Sequence, residues 1–217
     1  MKILFIGKKG DAQAEKASKQ TLELFPKAQI VWSARNLAYP EELKSWKGDY
    51  VFSYLSQWII PASTLDGAAK AALNWHPGPP AYPGIGCTNF AIYNEEKEFG
   101  ITCHHMNPKV DTGAIVEVRR FPVHPEDSVW KVTHQCYEEI AQSYENIIKR
   151  IAEGKGLPAS EENWTRKPYR RVELDALCEL TPDMSEKEMK LRIKATKYDR
   201  HWAYLNINGV KFMPLDD

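Results

Sequence analysis

Neither sign of charge prevails in this chain of 217 residues, where 29 lysines and arginines stand against 29 aspartates and glutamates. Proteins that hold polynucleotides through counterion release carry a basic excess. The even balance therefore argues against a nucleic-acid partner, and equally against a polybasic membrane anchor. Long apolar runs are missing too. No stretch approaches the roughly 18 residues of a membrane-spanning helix. The apolar opening MKILFI stops at Ile6, short of the about 7–15 residues of a secretion signal, and predicts a first strand instead. Cysteine is sparse: Cys87, Cys103, Cys136 and Cys178 lie far apart with no C-x-x-C spacing. They read as small buried hydrophobes in a reduced, cytoplasmic protein. No G-x-G-x-x-G dinucleotide fingerprint follows the first strand, no G-x-S-x-G nucleophile elbow occurs, and no internal repeat or low-complexity tract is visible.

What is present suits a compact α/β domain. With 43% hydrophobic residues the chain can bury a sizeable core. Short apolar, β-branched runs at 2–6, 28–33, 50–54 and 72–75 predict strands. Between them, 12–25, 41–46 and 61–70 predict helices, and this alternation argues for βαβ units and a parallel sheet. Residues 88–94 read as a further helix. The runs 100–107 and 114–122 are joined by too short a link for a parallel crossover, so they predict an antiparallel pair. An apolar stripe through 127–153 predicts a long helix. Beyond it the texture becomes polar. Residues 161–169 read as an extended surface segment. Ser185 and Glu188 form a capping-box pattern opening a helix over 185–195, and Asn208-Gly209 within 202–213 is a strong hairpin signal. The organisation expected is a catalytic core over 1–155 and a C-terminal extension over 156–217 with a helix and a β-hairpin.

The stretch 73–113 carries the chemistry. Asn74 and His76 sit two apart at the end of a predicted parallel strand, so both side chains face one side, and ligands of open α/β sheets bind beyond the carboxyl ends of strands. The segment HPGPPAYPGIG follows at once, with four prolines and three glycines in eleven residues; it predicts a rigid irregular loop. Asp111 stands in a VDTG turn between the antiparallel strands, where it can be brought back beside His76. An amide donates to a developing oxyanion, an imidazole accepts and returns a proton near neutral pH, and a carboxylate orients that imidazole. Such a set suits acyl transfer to an amine without a covalent intermediate. On spacing alone, a turn-capping Asn and a satisfied, semi-buried His remain open as a reading. A zinc site built from His76, His104, His105 and Asp111 is less favoured, because adjacent histidines on a strand face opposite sides and at most one could join; no metal is expected.

The strings NWHPGPPAYPGIG and GITCHHMNPKVDTGAIV resemble the N10-formyltetrahydrofolate-dependent formyltransferases, which carry Asn-x-His-Pro, a Pro/Gly loop, a G-x-T-x-H strand and a later Asp-Thr-Gly. The likeness spans about residues 50–125. It implies a Rossmann-like core with a mostly parallel twisted sheet, and a catalytic trio of Asn74 (oxyanion), His76 (proton transfer) and Asp111 (holding His76 and helping protonate the departing N10). It further implies N10-formyltetrahydrofolate as co-substrate, held largely by backbone groups near Gln57, Trp58, Ile59, Ile60, Val110 and Gly113.

Among branches of the family, methionyl-tRNA formyltransferases append a sizeable basic domain, whereas only about 60 residues follow the long helix in this sequence. Glycinamide ribonucleotide formyltransferases resemble it in length, but they show a Gly-Ser-Gly type first loop and Ser in place of Gly78. The wording HPGPPAYPGIGCTNFAIYN and the ending LRIKATKYDRHWAYLNING are most similar to the sugar N-formyltransferases, of the type acting on dTDP-4-amino-4,6-dideoxy sugars for bacterial surface polysaccharide. That likeness points to Lys8 and Lys9 facing a diphosphate. It assigns Asn89, His105, Tyr198, Arg200 and Trp202 to sugar or nucleotide, and implies a homodimer. Glycinamide ribonucleotide as acceptor, and a non-catalytic nucleotide-sugar or folate binder, are the competing expectations.

Overall fold

The computed structural model describes residues 1–198 and 202–214. Arg200, expected at the substrate, lies outside the described residues. Six strands form the central sheet: β1 (Ile3–Lys8), β2 (Gln29–Ser33), β3 (Gly48–Tyr54), β4 (Ala68–His76), β5 (Glu98–His105) and β6 (Ile115–Pro122), in the order β2-β1-β3-β4-β5-β6. The first four in that order run parallel, and β5 and β6 each reverse direction relative to the preceding strand. This is the expected α/β architecture with its antiparallel pair at one edge.

Alternation along the strands splits the sheet into two faces. Phe5, Phe52, Tyr54, Leu73, Trp75, Ile101 and Cys103 point to one side. There they meet α1 (Ala12–Leu24) and α4 (Val129–Ala152), whose buried stripe is Val132, Cys136, Ile140, Tyr144, Ile147, Ile148 and Ile151. Tyr144 sits at the centre of this layer, with the rings of Phe5, Phe52, Tyr54 and Trp75 at 4.8–6.0 Å in edge-to-face contact, a preferred geometry for aromatic pairs. Its hydroxyl shares a hydrogen bond with that of Thr21 at 2.5 Å. The opposite face carries Leu4, Ile6, Val51 and Ala72, covered by the 3-10 turn Glu41–Ser45 and the single-turn α2 (Ala62–Leu65).

One boundary differs from the sequence expectation. The helix expected over 61–70 ends at Leu65, and β4 begins at Ala68 rather than at 72. The alanine-rich run favours helix intrinsically. Pairing of Gly48 with Ala68 and of Tyr50 with Ala71 draws it into the sheet instead.

The C-terminal part adds α5 (Arg171–Cys178), β7 (Glu179–Leu180), α6 (Glu186–Thr196), β8 (Tyr204–Ile207) and β9 (Val210–Phe212). Neither α5 nor β7 was expected. Ser185 caps α6 by accepting from the Glu188 N–H, as the capping pattern implied. The β8–β9 hairpin turns at Asn208 and Gly209 with φ of 51° and 84°, the left-handed pair such a tight turn needs. A parallel β7 extends it to three strands. Among the described residues no helix is long and apolar enough to cross a membrane.

Candidate active site

At the carboxyl end of β4, Asn74 and His76 leave the sheet on the face opposite Trp75. Their partners across the antiparallel pairing with β5 are His104 and Thr102, and Ser53 stands beside Asn74 on β3. The polar residues of three strands thus gather on one face. The loop 106–114 then folds back to bring Asp111 onto them.

Asp111 is the hub. Its Oδ2 lies 3.2 Å from His76 Nδ1 and its Oδ1 lies 3.2 Å from His104 Nε2. The Gly84 N–H also donates to Oδ2, at 2.8 Å. The carboxylate is 6% exposed. Burial alone would raise its pKa. The imidazoles of His76 and then His104, with the Gly84 N–H, outweigh that and bring it down to about 2, so this carboxyl is ionised throughout the physiological range. Its backbone takes φ of 46°, a left-handed conformation that Asp and Asn enter more readily than other side chains.

Each imidazole bridges the carboxylate to a backbone carbonyl: His76 Nε2 lies 2.7 Å from the Tyr82 carbonyl, and His104 Nδ1 lies 2.9 Å from that of His105. The two rings and the carboxylate form one connected array. Asn74 completes it. Its Oδ1 accepts from the Ser53 hydroxyl at 2.8 Å and its Nδ2 lies 3.1 Å from His104 Nε2.

The glycine-rich framework is tightly built. A Cβ on Gly113 would stand 1.8 Å from the His105 carbonyl oxygen, so only glycine lets the Asp111 loop approach β5 this closely. A Cβ on Gly78 would stand 2.7 Å from His76 Nε2 and 2.7 Å from the Tyr82 carbonyl.

His104 is the residue that sequence reasoning missed. The sequence offers it only as a metal ligand, yet it joins Asn74 to Asp111. Cross-strand pairing of the Asn-x-His and G-x-T-x-H segments was the signal that could have found it. Trp164 was missed as well. Its ring meets His76 and His104 edge to face, with centroids 5.9 and 5.1 Å apart, and its Nε1–H donates to the Gly113 carbonyl at 2.8 Å. The segment 161–169 runs without regular structure and largely exposed, as expected, but Trp164 turns inward and makes it a wall of the site.

The other expected site residues occupy varied places. Gln57 and Trp58 bolt their loop to the neighbouring one: the Arg35 N–H donates to Gln57 Oε1, and Trp58 Nε1–H points to the carbonyls of Ala34 and Leu37. Ile60 is buried in the second apolar layer, whereas Ile59 is 75% and Val110 46% exposed. Lys8 lies 3.5 Å from Asp11 and over the Tyr137 ring, and Lys9 is exposed. Asn89 is buried and donates to the Ala195 carbonyl. His105 is half-buried; burial and then the neighbouring His104 push its pKa down. Tyr198 and Trp202 are half-buried. Cys87 is buried and its thiol, pushed up to about 12 chiefly by burial, donates to the Pro77 carbonyl. Beside the site lies an open cleft of about 590 Å³, lined by Lys109, Val110, Thr112 and Trp164 to Pro168.

Residues 4–148 match the formyl transferase family. The chain belongs to that family. Over 137 residues it is 34% identical to a phosphoribosylglycinamide formyltransferase of Haemophilus influenzae, a match covering 58% of this chain and 64% of that relative's length. Its fold is similar to that of a sugar N-formyltransferase from Shewanella sp FDAARGOS_354, with a TM-score of 0.80 and 19% identity, covering 99% of this chain and 96% of the other. It is also similar to an N-formyltransferase from Helicobacter canadensis solved with folinic acid and dTDP-3-aminofucose, with a TM-score of 0.75 and 17% identity over 97% and 86% of the two chains.

Proposed function

We propose that this formyl transferase family member moves the formyl group of N10-formyltetrahydrofolate to the amine of a nucleotide-linked amino-dideoxy sugar. The observation that carries the reading is the buried array in which Asn74, His104, Asp111 and His76 are joined at the carboxyl end of β4. The co-substrate supplies an activated one-carbon acyl group. Asn74, fixed by Ser53, offers an N–H to the oxyanion. His76 takes up the proton of the attacking amine, and the ionised Asp111 holds the resulting imidazolium and so helps it protonate the leaving nitrogen.

Features of the two loops assigned to folate fit that molecule. Ile59 and Val110 leave large apolar surfaces open beside buried neighbours. The adjoining cleft is lined by Lys109 and Lys167, with Arg166 paired to Glu173, and its two lysines suit the carboxylates of a folate tail. Lys8 and Lys9 supply cations for an anionic acceptor. The similarity in fold to sugar N-formyltransferases over nearly the whole chain supports a sugar acceptor. By extension the protein would act in the cytoplasm, in the synthesis of bacterial surface polysaccharide. It would form a homodimer through the hairpin, where Ile207, Val210 and Phe212 are exposed.

The 34% identity to a phosphoribosylglycinamide formyltransferase favours a second reading, glycinamide ribonucleotide as acceptor. Incubation with 10-formyltetrahydrofolate and a panel of amino-sugar nucleotides plus glycinamide ribonucleotide, following tetrahydrofolate release, separates the two. Turnover is expected with a sugar nucleotide; turnover with the ribonucleotide alone replaces the first reading by the second.

A further inference from the structure

Residues 160–169 cross the site as a strap, although they have no regular secondary structure and lie outside the region that matches the family. The strap is pinned along its length. The Ser160 N–H donates to the Ile115 carbonyl, that of Thr165 to Pro80, and that of Tyr169 to Pro83, while the Ile85 N–H donates back to the Tyr169 carbonyl, at 2.9–3.2 Å. Its two ends thus hold β6 and the Pro/Gly loop, the same loop whose Tyr82 carbonyl engages His76. The Tyr169 ring stacks on Phe90 at 3.9 Å and carries the Arg166 guanidinium 3.1 Å above its own centroid.

Between these anchors stands Trp164. Its one polar atom is turned away to the Gly113 carbonyl, so the surface it gives the two imidazoles is purely apolar. An aromatic wall over two histidines and a buried carboxylate has a specific physical use. An activated acyl group reacts with water as well as with an amine, and a centre that relays protons can activate either; closing the site against water suppresses the side reaction.

We propose that Trp164 is the water-excluding cover of the formyl-transfer centre, a positioning residue that favours transfer over hydrolysis. The inference rests on the formyl-transfer reading given above. In the suppressed reaction a water oxygen bonds to the formyl carbon, the bond from that carbon to N10 breaks, N10 takes a water proton, and formic acid leaves with tetrahydrofolate as the second product.

The test uses the full chain and 10-formyltetrahydrofolate without acceptor, with formate release as readout. Trp164→Gln keeps a donor for the Gly113 carbonyl and removes the ring; it is expected to release formate about tenfold faster than wild type. Trp164→Phe keeps a ring and removes the donor; it is expected to stay within about threefold of wild type. The double variant Trp164→Gln/His76→Ala is expected to return to the wild-type rate, because the admitted water still needs the centre to activate it. Wild-type formate release by Trp164→Gln overturns the cover, provided its thermal melt and its calorimetric binding of 5-formyltetrahydrofolate are retained. Fast release that persists without His76 overturns it too, by marking general loosening. Should Trp164→Gln fail to fold, Trp164→Leu replaces it: fast release that needs His76 upholds the cover, and a wild-type rate overturns it. Failure of the wild-type protein to bind 5-formyltetrahydrofolate overturns the formyl-transfer reading itself, and is thereby distinguished from failure of the cover alone.

Discussion

Asn74, Trp75 and His76 are three consecutive residues of one strand, and the sheet sends them to different tasks. Trp75 enters the aromatic layer around Tyr144, 1% exposed, with its Nε1–H donating to the Ser143 hydroxyl. Asn74 and His76 enter a layer of hydrogen bonds around Asp111. The period of two that builds any half-buried strand here sends Trp75 into the larger apolar layer and Asn74 and His76 into the candidate site at the end of the opposite face. A buried polar network is tolerable when its members are satisfied, and the donors and carbonyls from β5, the Pro/Gly loop and the Asp111 turn provide this.

That comparison breaks down most sharply under substitution of neighbouring positions. Asn74→Ala, His76→Ala and Asp111→Ala are each expected to lower turnover by about 10² or more. They should leave the fold cooperative in a thermal melt. Near-normal turnover in all three would remove the chemical face from the reaction. Trp75→Ala is the mirror experiment. Deleting an indole from the packed layer is expected to cost about 3–5 kcal/mol of unfolding free energy, read by denaturant titration. A loss below about 1 kcal/mol would show that the aromatic face does not hold the domain together.

The smallest expected effect links the faces through pH. Asp111 has a folded pKa of about 2 against an ordinary 3.8, so folding favours its ionised form. The associated stabilisation, about 2 kcal/mol, is fully present above about pH 4 and disappears as pH falls through 2. Asp111→Asn, which keeps a side chain suited to the left-handed backbone, should flatten the acid limb of the stability curve between those values. An unchanged acid limb would mean that the carboxylate is not held in its charged form by the imidazoles.

How much of this was legible beforehand depends on how local each feature is. The parallel strands, the long helix and the Asn208-Gly209 turn were readable because periodicity and turn chemistry are written within a few residues. Asn74, His76 and the turn carrying Asp111 were readable for the same reason, together with a family likeness. His104 was not, since its meaning depends on the register that places it opposite Asn74, a non-local pairing. The boundary between α2 and β4 was misjudged where helix propensity in an alanine run yielded to strand pairing. In α5, Leu174 and Leu177 are buried, but the surrounding charge obscured their spacing. Trp164 was the least legible of all. A segment such as EENWTRKPY has no period, and its course is set by hydrogen bonds to loops some 50 to 85 positions earlier in the chain.

The order of the chain also gives the site a history. During synthesis Asn74, His76 and Asp111 emerge first, and the strap bearing Trp164 follows on the order of seconds later at ordinary elongation rates of about 5–20 residues per second. The sheet can therefore gather its reactive side chains before their last wall exists. A nascent or prematurely ended chain would hold these side chains without the strap that runs past them, and the site gains its aromatic wall only when one of its least regular segments has been made and laid in place.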